Sequence, residues 1–170
     1  MEDLKLITIE SCSQKKKIIK EKEKQKRQIT TTEQWNFTEP ELNRENHYQL
    51  LYETSKIPFI YQQIRNKLTS YRSQDIEKNK YNIEKFSDLS GVLQKMELCQ
   101  LKCFYCKESV SLLYENVREP KQWTLERINN KIGHTIDNVE IACLSCNLRR
   151  RTMHHERYLL TKNIQTVIKK

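Results

Sequence analysis

Leu101-Lys102-Cys103-Phe104-Tyr105-Cys106-Lys107 and Ile141-Ala142-Cys143-Leu144-Ser145-Cys146-Asn147 are the two stretches from which the fold is read. Each reads as a short strand turning through a C-x2-C knuckle. Two bent pairs supply four thiolates, and zinc takes four sulfurs in a tetrahedron with no open position. Such a site is structural, not catalytic. The stretch between the knuckles is too short and too polar to fold on burial alone, so metal binding is expected to supply much of its folding free energy. A redox dithiol would need one pair and has no use for the second. The other two cysteines, Cys12 and Cys99, read as ordinary free thiols.

Between the knuckles, residues 123–128 read as a strand, Asn129 to Asp137 as a glycine-containing loop and residues 138–141 as a second strand. After Cys146 the run Asn147 to Leu160 reads as one helix, with Leu148 and Leu159 facing inward. Strand, loop, strand and helix follow in the order ββα.

This stretch, roughly residues 98–152, resembles the HNH (ββα-metal) endonuclease family, in the branch whose first motif is an acidic residue followed by Arg-Ile. Glu126-Arg127-Ile128, the loop Lys131-Ile132-Gly133-His134-Thr135, Asp137-Asn138-Val139 and Cys146-Asn147 fall in the family order. The resemblance implies that Glu126 and Asn147 are ligands of a catalytic divalent ion and that Asn138 pins the loop backbone. A carboxylate and an amide oxygen are hard donors suited to Mg²⁺ or Mn²⁺, leaving positions for a phosphate oxygen and water. Such an ion would polarise the scissile phosphate.

The chain departs from the family at one place. Where the family carries its general-base His, directly after the acidic residue, Arg127 stands here. Arginine stays protonated, so it can clamp a phosphate but cannot take a proton from water. Three readings stay open: His134 acts as the base, the metal alone activates water in a slow enzyme, or the site is inactive and the fold serves as a binding module.

The helix after Cys146 carries Arg149, Arg150, Arg151, His154, His155 and Arg157. On one continuous helix Arg150, His154 and Arg157 would share a face and track a phosphate backbone, so Arg149, Arg150, Arg151, His154 and Arg157 are the expected nucleic-acid contacts.

Working outward, Thr38 and Pro40 suit a helix start, and Tyr48, Leu51, Tyr52 and Ser55 keep helical spacing. Ile60, Ile64, Leu68 and Tyr71 mark a second helix after Pro58. Phe86, Leu89, Val92, Leu93 and Met96 mark a third. Residues 13–29 hold eight basic residues against two acidic ones, with almost nothing to bury. The expected organisation of the 170 residues is a basic, flexible arm over 1–37, a helical region over 38–83 and the zinc-stapled module over 84–170, with the boundary between Lys78 and Glu84.

The formal net charge of +9 suits a polyanion partner, because neutralising phosphates releases condensed counterions. Charge does not choose between DNA, RNA and an acidic membrane surface. With no apolar run long enough to span a bilayer and no leader segment, the sequence predicts a soluble, intracellular protein. Together these readings predict an α+β fold, with a helical N-terminal region followed by a small ββα-metal module. The expected function is metal-dependent cleavage of nucleic acid, DNA favoured over RNA, with a protein partner expected to dock on the helical region. The alternative is a non-catalytic zinc module that binds nucleic acid or serves an assembly.

Overall fold

The computed structural model describes Gln28 and residues 35–168, with side chains described to residue 164. The basic run of residues 13–27 and Cys12 lie outside the described residues. The fold is α+β: α1 (Glu39–Leu42), α2 (Ile57–Glu77), α3 (Leu89–Leu98), β1 (Trp123–Arg127), β2 (Val139–Cys143), α4 (Leu144–Arg150) and α5 (His155–Ile168). No helix among the described residues is long and apolar enough to cross a membrane.

The first expected helix is broken. Thr38 and Glu41 form a capping box and Pro40 fills the first turn, yet α1 ends at Asn43, whose backbone is extended (ψ 124°). The Asn43 side chain then accepts from Glu45 N at 3.1 Å and opens a separate 3₁₀ turn, Arg44–Asn46, followed by another over Gln49–Leu51. Asn competes with the helix for backbone donors, which is why a run with helical spacing stops here.

α2 follows the reading closely. Pro58 sits in its first turn, where a missing N–H costs nothing, and Ile60, Ile64, Leu68 and Tyr71 bury one face. α3 begins at Leu89, not Phe86, because Asp88 caps it by accepting from Gly91 N at 2.8 Å, while Phe86 bridges Thr135 in extended form.

β1 and β2 form one antiparallel ribbon in the register Trp123↔Cys143, Thr124↔Ala142, Leu125↔Ile141, Glu126↔Glu140 and Arg127↔Val139. Trp123, Leu125, Val139 and Ile141 are buried on it. A two-stranded ribbon is marginal by itself in water. Here α2 backs it: the Tyr71 hydroxyl accepts from Leu125 N at 3.1 Å, and the Lys67 ammonium donates to the Trp123 carbonyl while lying over the Trp123 ring. Burial brings that ammonium down to about 7. One hydrophobic cluster runs from Trp35 through α2 and α3 to Tyr158, so the helical stretch and the ribbon share a core.

The single helix expected over 147–160 is two helices. Arg151 has φ 52°, which ends α4, and α5 starts afresh at His155. Leu148 is 56 % exposed instead of facing inward, whereas Leu159 packs against the core. Tyr158 anchors α5 on the first knuckle through an edge contact with Tyr105, centroids 4.8 Å apart.

Candidate metal centre and candidate active site

The first knuckle is a tight hairpin. Lys102 bridges Ser109, and Lys107 takes the left-handed φ of 59° that turns the chain after Cys106. The second knuckle sits on the junction of β2 and α4, with Cys143 closing the strand and Cys146 in the first helical turn. Phe104 N donates to Ile141 O at 2.8 Å and ties the two together. The Sγ atoms of Cys103, Cys106, Cys143 and Cys146 all lie within 4.8 Å of one another. Those of Cys106 and Cys143 are 3.9 Å apart, where tetrahedral bonds of about 2.3 Å to zinc require roughly 3.8 Å between sulfurs. Backbone N–H groups of Cys143 and Cys146 point at Cys103 Sγ and Cys143 Sγ at 3.2 and 3.4 Å, as stabilised thiolates need. The four thiols thus form a site that can hold a metal ion such as zinc. Among the described residues no other set of three or more His, Cys, Asp or Glu side chains is gathered this way.

A cavity of about 600 Å³ opens beside the far end of β1. Glu126, Arg127, His134 and Asn147 all line it, with Arg151 and, from just beyond α2, Lys78 and Lys80. Strand end, loop and helix start therefore meet at one opening. Asn147 donates its Nδ2 to Thr124 Oγ1 at 3.2 Å, which leaves its carbonyl oxygen as the atom to offer an ion.

Glu126 pairs with neither Arg127 nor Lys121, two cations close to it in sequence. It is 3 % exposed and forms a buried ion pair with Arg150, while Lys121 pairs with Glu108. Desolvation pushes the Glu126 carboxyl up, and the Arg150 guanidinium opposes that shift.

Arg150 itself corrects the expectation that it tracks phosphate. It is 3 % exposed, and besides Glu126 it donates to the carbonyls of Arg127 and Ile128, each at 2.8 Å. A guanidinium has several fixed donors, so one side chain can hold both a carboxylate and the turn that follows the strand. With the helix broken at Arg151, Arg150, His154 and Arg157 do not share a face. Arg149, Arg151, His154 and Arg157 remain exposed.

Among the described residues Arg127 has no ion pair, and its Nη1 is buried without a hydrogen-bond partner there. An unpaired buried donor is costly unless a ligand supplies the acceptor. Asn138 accepts from Asn129 N at 2.9 Å and donates to the carbonyls of Asn129 and Gly133, both at 3.0 Å, so it clips the loop at two points.

His134 is 4 % exposed and sits under α2. Its Nδ1 is 2.8 Å from Asp75 Oδ1, its backbone N–H donates to Asp75 Oδ2 at 2.6 Å, and its ring packs against Tyr71, centroids 4.5 Å apart. Burial holds the imidazole below its ordinary range, with Asp75 opposing. Asp75, Tyr71, Lys78 and Lys80 are the residues that sequence reasoning missed. They precede the motif region, and the one available signal was a lone Asp on the apolar face of α2, four residues after Tyr71.

No family model and no solved structure matches the chain. It is 29% identical over 103 residues to an uncharacterized protein, R423, of Acanthamoeba polyphaga mimivirus, a match covering 56% of this chain and 18% of that protein. The chain thus spans less than a fifth of that relative's length, and the similarity brings no activity with it.

Proposed function

We propose that the chain is a metal-dependent endonuclease of the HNH type that hydrolyses nucleic-acid phosphodiester bonds. The observation that carries this reading is the convergence of Glu126, Arg127, His134 and Asn147 on one cavity with a basic rim of Lys78, Lys80 and Arg151. Glu126 spends one carboxylate oxygen on Arg150 and Asn147 spends its amide nitrogen on Thr124, so one oxygen of each remains to hold Mg²⁺ or Mn²⁺. The ion's contribution would be to polarise the scissile phosphate and lower the charge on the leaving oxygen. Arg127, with its unpartnered Nη1, clamps a non-bridging phosphate oxygen. His134 receives the proton of the attacking water as the water oxygen bonds to phosphorus and the bond to the 3′ oxygen breaks.

Nicking of supercoiled plasmid with Mg²⁺ or Mn²⁺ tests the reading. Wild type should cut, and Glu126→Ala and His134→Ala should each abolish or nearly abolish cutting while the bound zinc is kept. No cutting by wild type with either ion, and none by Arg127→His, leaves the second reading. That reading is a non-catalytic zinc module that binds nucleic acid or docks in an assembly, and the observation favouring it is the Glu126–Arg150 ion pair, which already neutralises the carboxylate.

A further inference from the structure

We infer that Asp75, a residue of α2 outside the cysteine-framed stretch, is a positioning residue that keeps the His134 proton on Nδ1 and presents the unprotonated Nε2 to the cavity. Its effect on rate rests on the nuclease reading above; its effect on the tautomer does not.

The argument starts from what each atom can do. An ionised carboxylate only accepts hydrogen bonds. Asp75 Oδ2 takes the His134 backbone N–H and Oδ1 faces Nδ1, so in a neutral imidazole the ring proton must lie on Nδ1. The lone pair is then on Nε2. His134 lines the cavity that also holds Glu126 and Asn147, so that nitrogen is the one available to a bound water.

The rest of the surroundings leave His134 little freedom. Its carbonyl accepts from both Ser87 N at 2.9 Å and Ser87 Oγ at 2.8 Å. The Tyr71 ring covers it, and the charges it feels are the Asp75 carboxylate and, opposing it, the Arg127 and Lys78 cations. Gly133 explains how the carboxylate reaches the loop: a Cβ there would meet Asp75 Oδ2 at 2.7 Å and would collide with the Lys80 carbonyl. A purely structural tie between α2 and the loop would need only the backbone bond. The second oxygen, on the ring nitrogen, is what sets the proton.

Asp75→Asn separates the two roles while keeping the shape. A carboxamide has one oxygen, and the His134 backbone N–H, which can only donate, claims it. The amide NH₂ then faces Nδ1, which must accept, and the imidazole proton moves to Nε2. Facing the cavity, a protonated Nε2 cannot take a proton from water. A wrong tautomer of a catalytic histidine costs on the order of 10⁴ in rate.

The test is ¹⁵N NMR of the histidine rings in the full-length, zinc-loaded chain, together with plasmid nicking in Mg²⁺. Wild-type His134 should show the Nδ1–H tautomer and Asp75→Asn the Nε2–H tautomer. In the nicking assay Asp75→Asn should lower kcat by about 10² to 10⁴ with little change in KM, and adding His134→Ala should cost nothing more. Nε2–H in the wild type overturns the inference without any variant, as does an Asp75→Asn chain that keeps Nδ1–H. An Asp75→Asn chain that switches to Nε2–H and still cuts at the wild-type rate overturns the role of His134 as base and the rate effect of Asp75 with it. A wild type that cuts nothing defeats the nuclease reading, while the tautomer still decides for or against Asp75.

Discussion

The cysteine cluster and the cavity occupy opposite ends of the β1–β2 ribbon, one beside the Trp123↔Cys143 pair and the other beside Arg127↔Val139. They are assembled in different ways. The cluster draws all four ligands from two C-x2-C knuckles, uses backbone N–H groups to support the sulfurs, and closes on itself. The cavity draws Glu126 and Arg127 from β1, His134 from the loop and Asn147 from α4, and the partners behind two of these side chains come from α2 and α4: Asp75 hydrogen-bonded to His134, and Arg150 ion-paired with Glu126. The first arrangement needs only short-range geometry and a metal. The second exists only once α2 has docked on the ribbon.

The widest test of that contrast is removal of zinc. A chelator, or Cys146→Ser, should unfold the stretch from residue 101 to α5, because structural zinc contributes about 10–16 kcal/mol in small domains. Circular dichroism and metal analysis read the result, and a folded, zinc-free protein would make the cluster an incidental group of thiols.

Arg150→Ala comes next. It strands Glu126 as an unpaired buried charge and removes two bonds to the Arg127 and Ile128 carbonyls, so chemical denaturation should show a loss of about 3–5 kcal/mol. The salt dependence of DNA binding should barely move. A loss under about 1 kcal/mol with a shallower salt slope would return Arg150 to the phosphate-contacting surface.

His47 extends the comparison to pH. It is 1 % exposed, its Nδ1 accepts from Leu112 N at 3.1 Å, and burial pulls it from 6.5 to about 4. Its folded pKa lies below its unfolded one, so the unfolded chain binds the extra proton between those values. Stability is therefore full above about pH 6.5 and falls as the pH drops toward 4, by up to roughly 3 kcal/mol. Denaturation midpoints from pH 7 to pH 4.5 check this, and His47→Phe should flatten the curve there if the shift belongs to His47.

The smallest change in stability, within about 0.5 kcal/mol, is expected from Arg149→Ala with Arg151→Ala, since both are exposed. Their effect should appear instead in nucleic-acid binding, where the slope of log affinity against log salt should fall by about 2 and affinity should drop alike for unrelated sequences. An unchanged slope would move the binding surface to the lysine-rich run of residues 15–27 or to Lys78 and Lys80.

Legibility follows the range of the interactions. The cysteine cluster could be read directly because a C-x2-C spacing forces two sulfurs together whatever the rest of the chain does, and the ββα order follows from a strand pattern, a glycine loop and a second strand. The loop-pinning role of Asn138 came from the resemblance and not from spacing, and the bonds that carry it, to Asn129 and Gly133, span only nine and five residues. The helical spacing of Tyr48, Leu51 and Tyr52 misled because periodicity does not register an asparagine that caps a new turn. Arg150, His154 and Arg157 looked like one face because helical spacing assumes a continuous helix, and Arg151 interrupts it.

What the amino-acid sequence determined by itself is the set of ligands and the order of strands and helix that carries them, because each depends on neighbours a few residues away. Tertiary structure alone decided which nitrogen of His134 is engaged and whether Glu126 is free or paired. Asp75 meets His134 across 59 residues and Arg150 meets Glu126 across 24; the first pair forms where the Ile60, Ile64 and Leu68 face of α2 packs into the core, and the second where α4 folds back on β1. The loop-closure entropy of those contacts is met by apolar burial elsewhere, so nothing in the local sequence around either residue announces its partner.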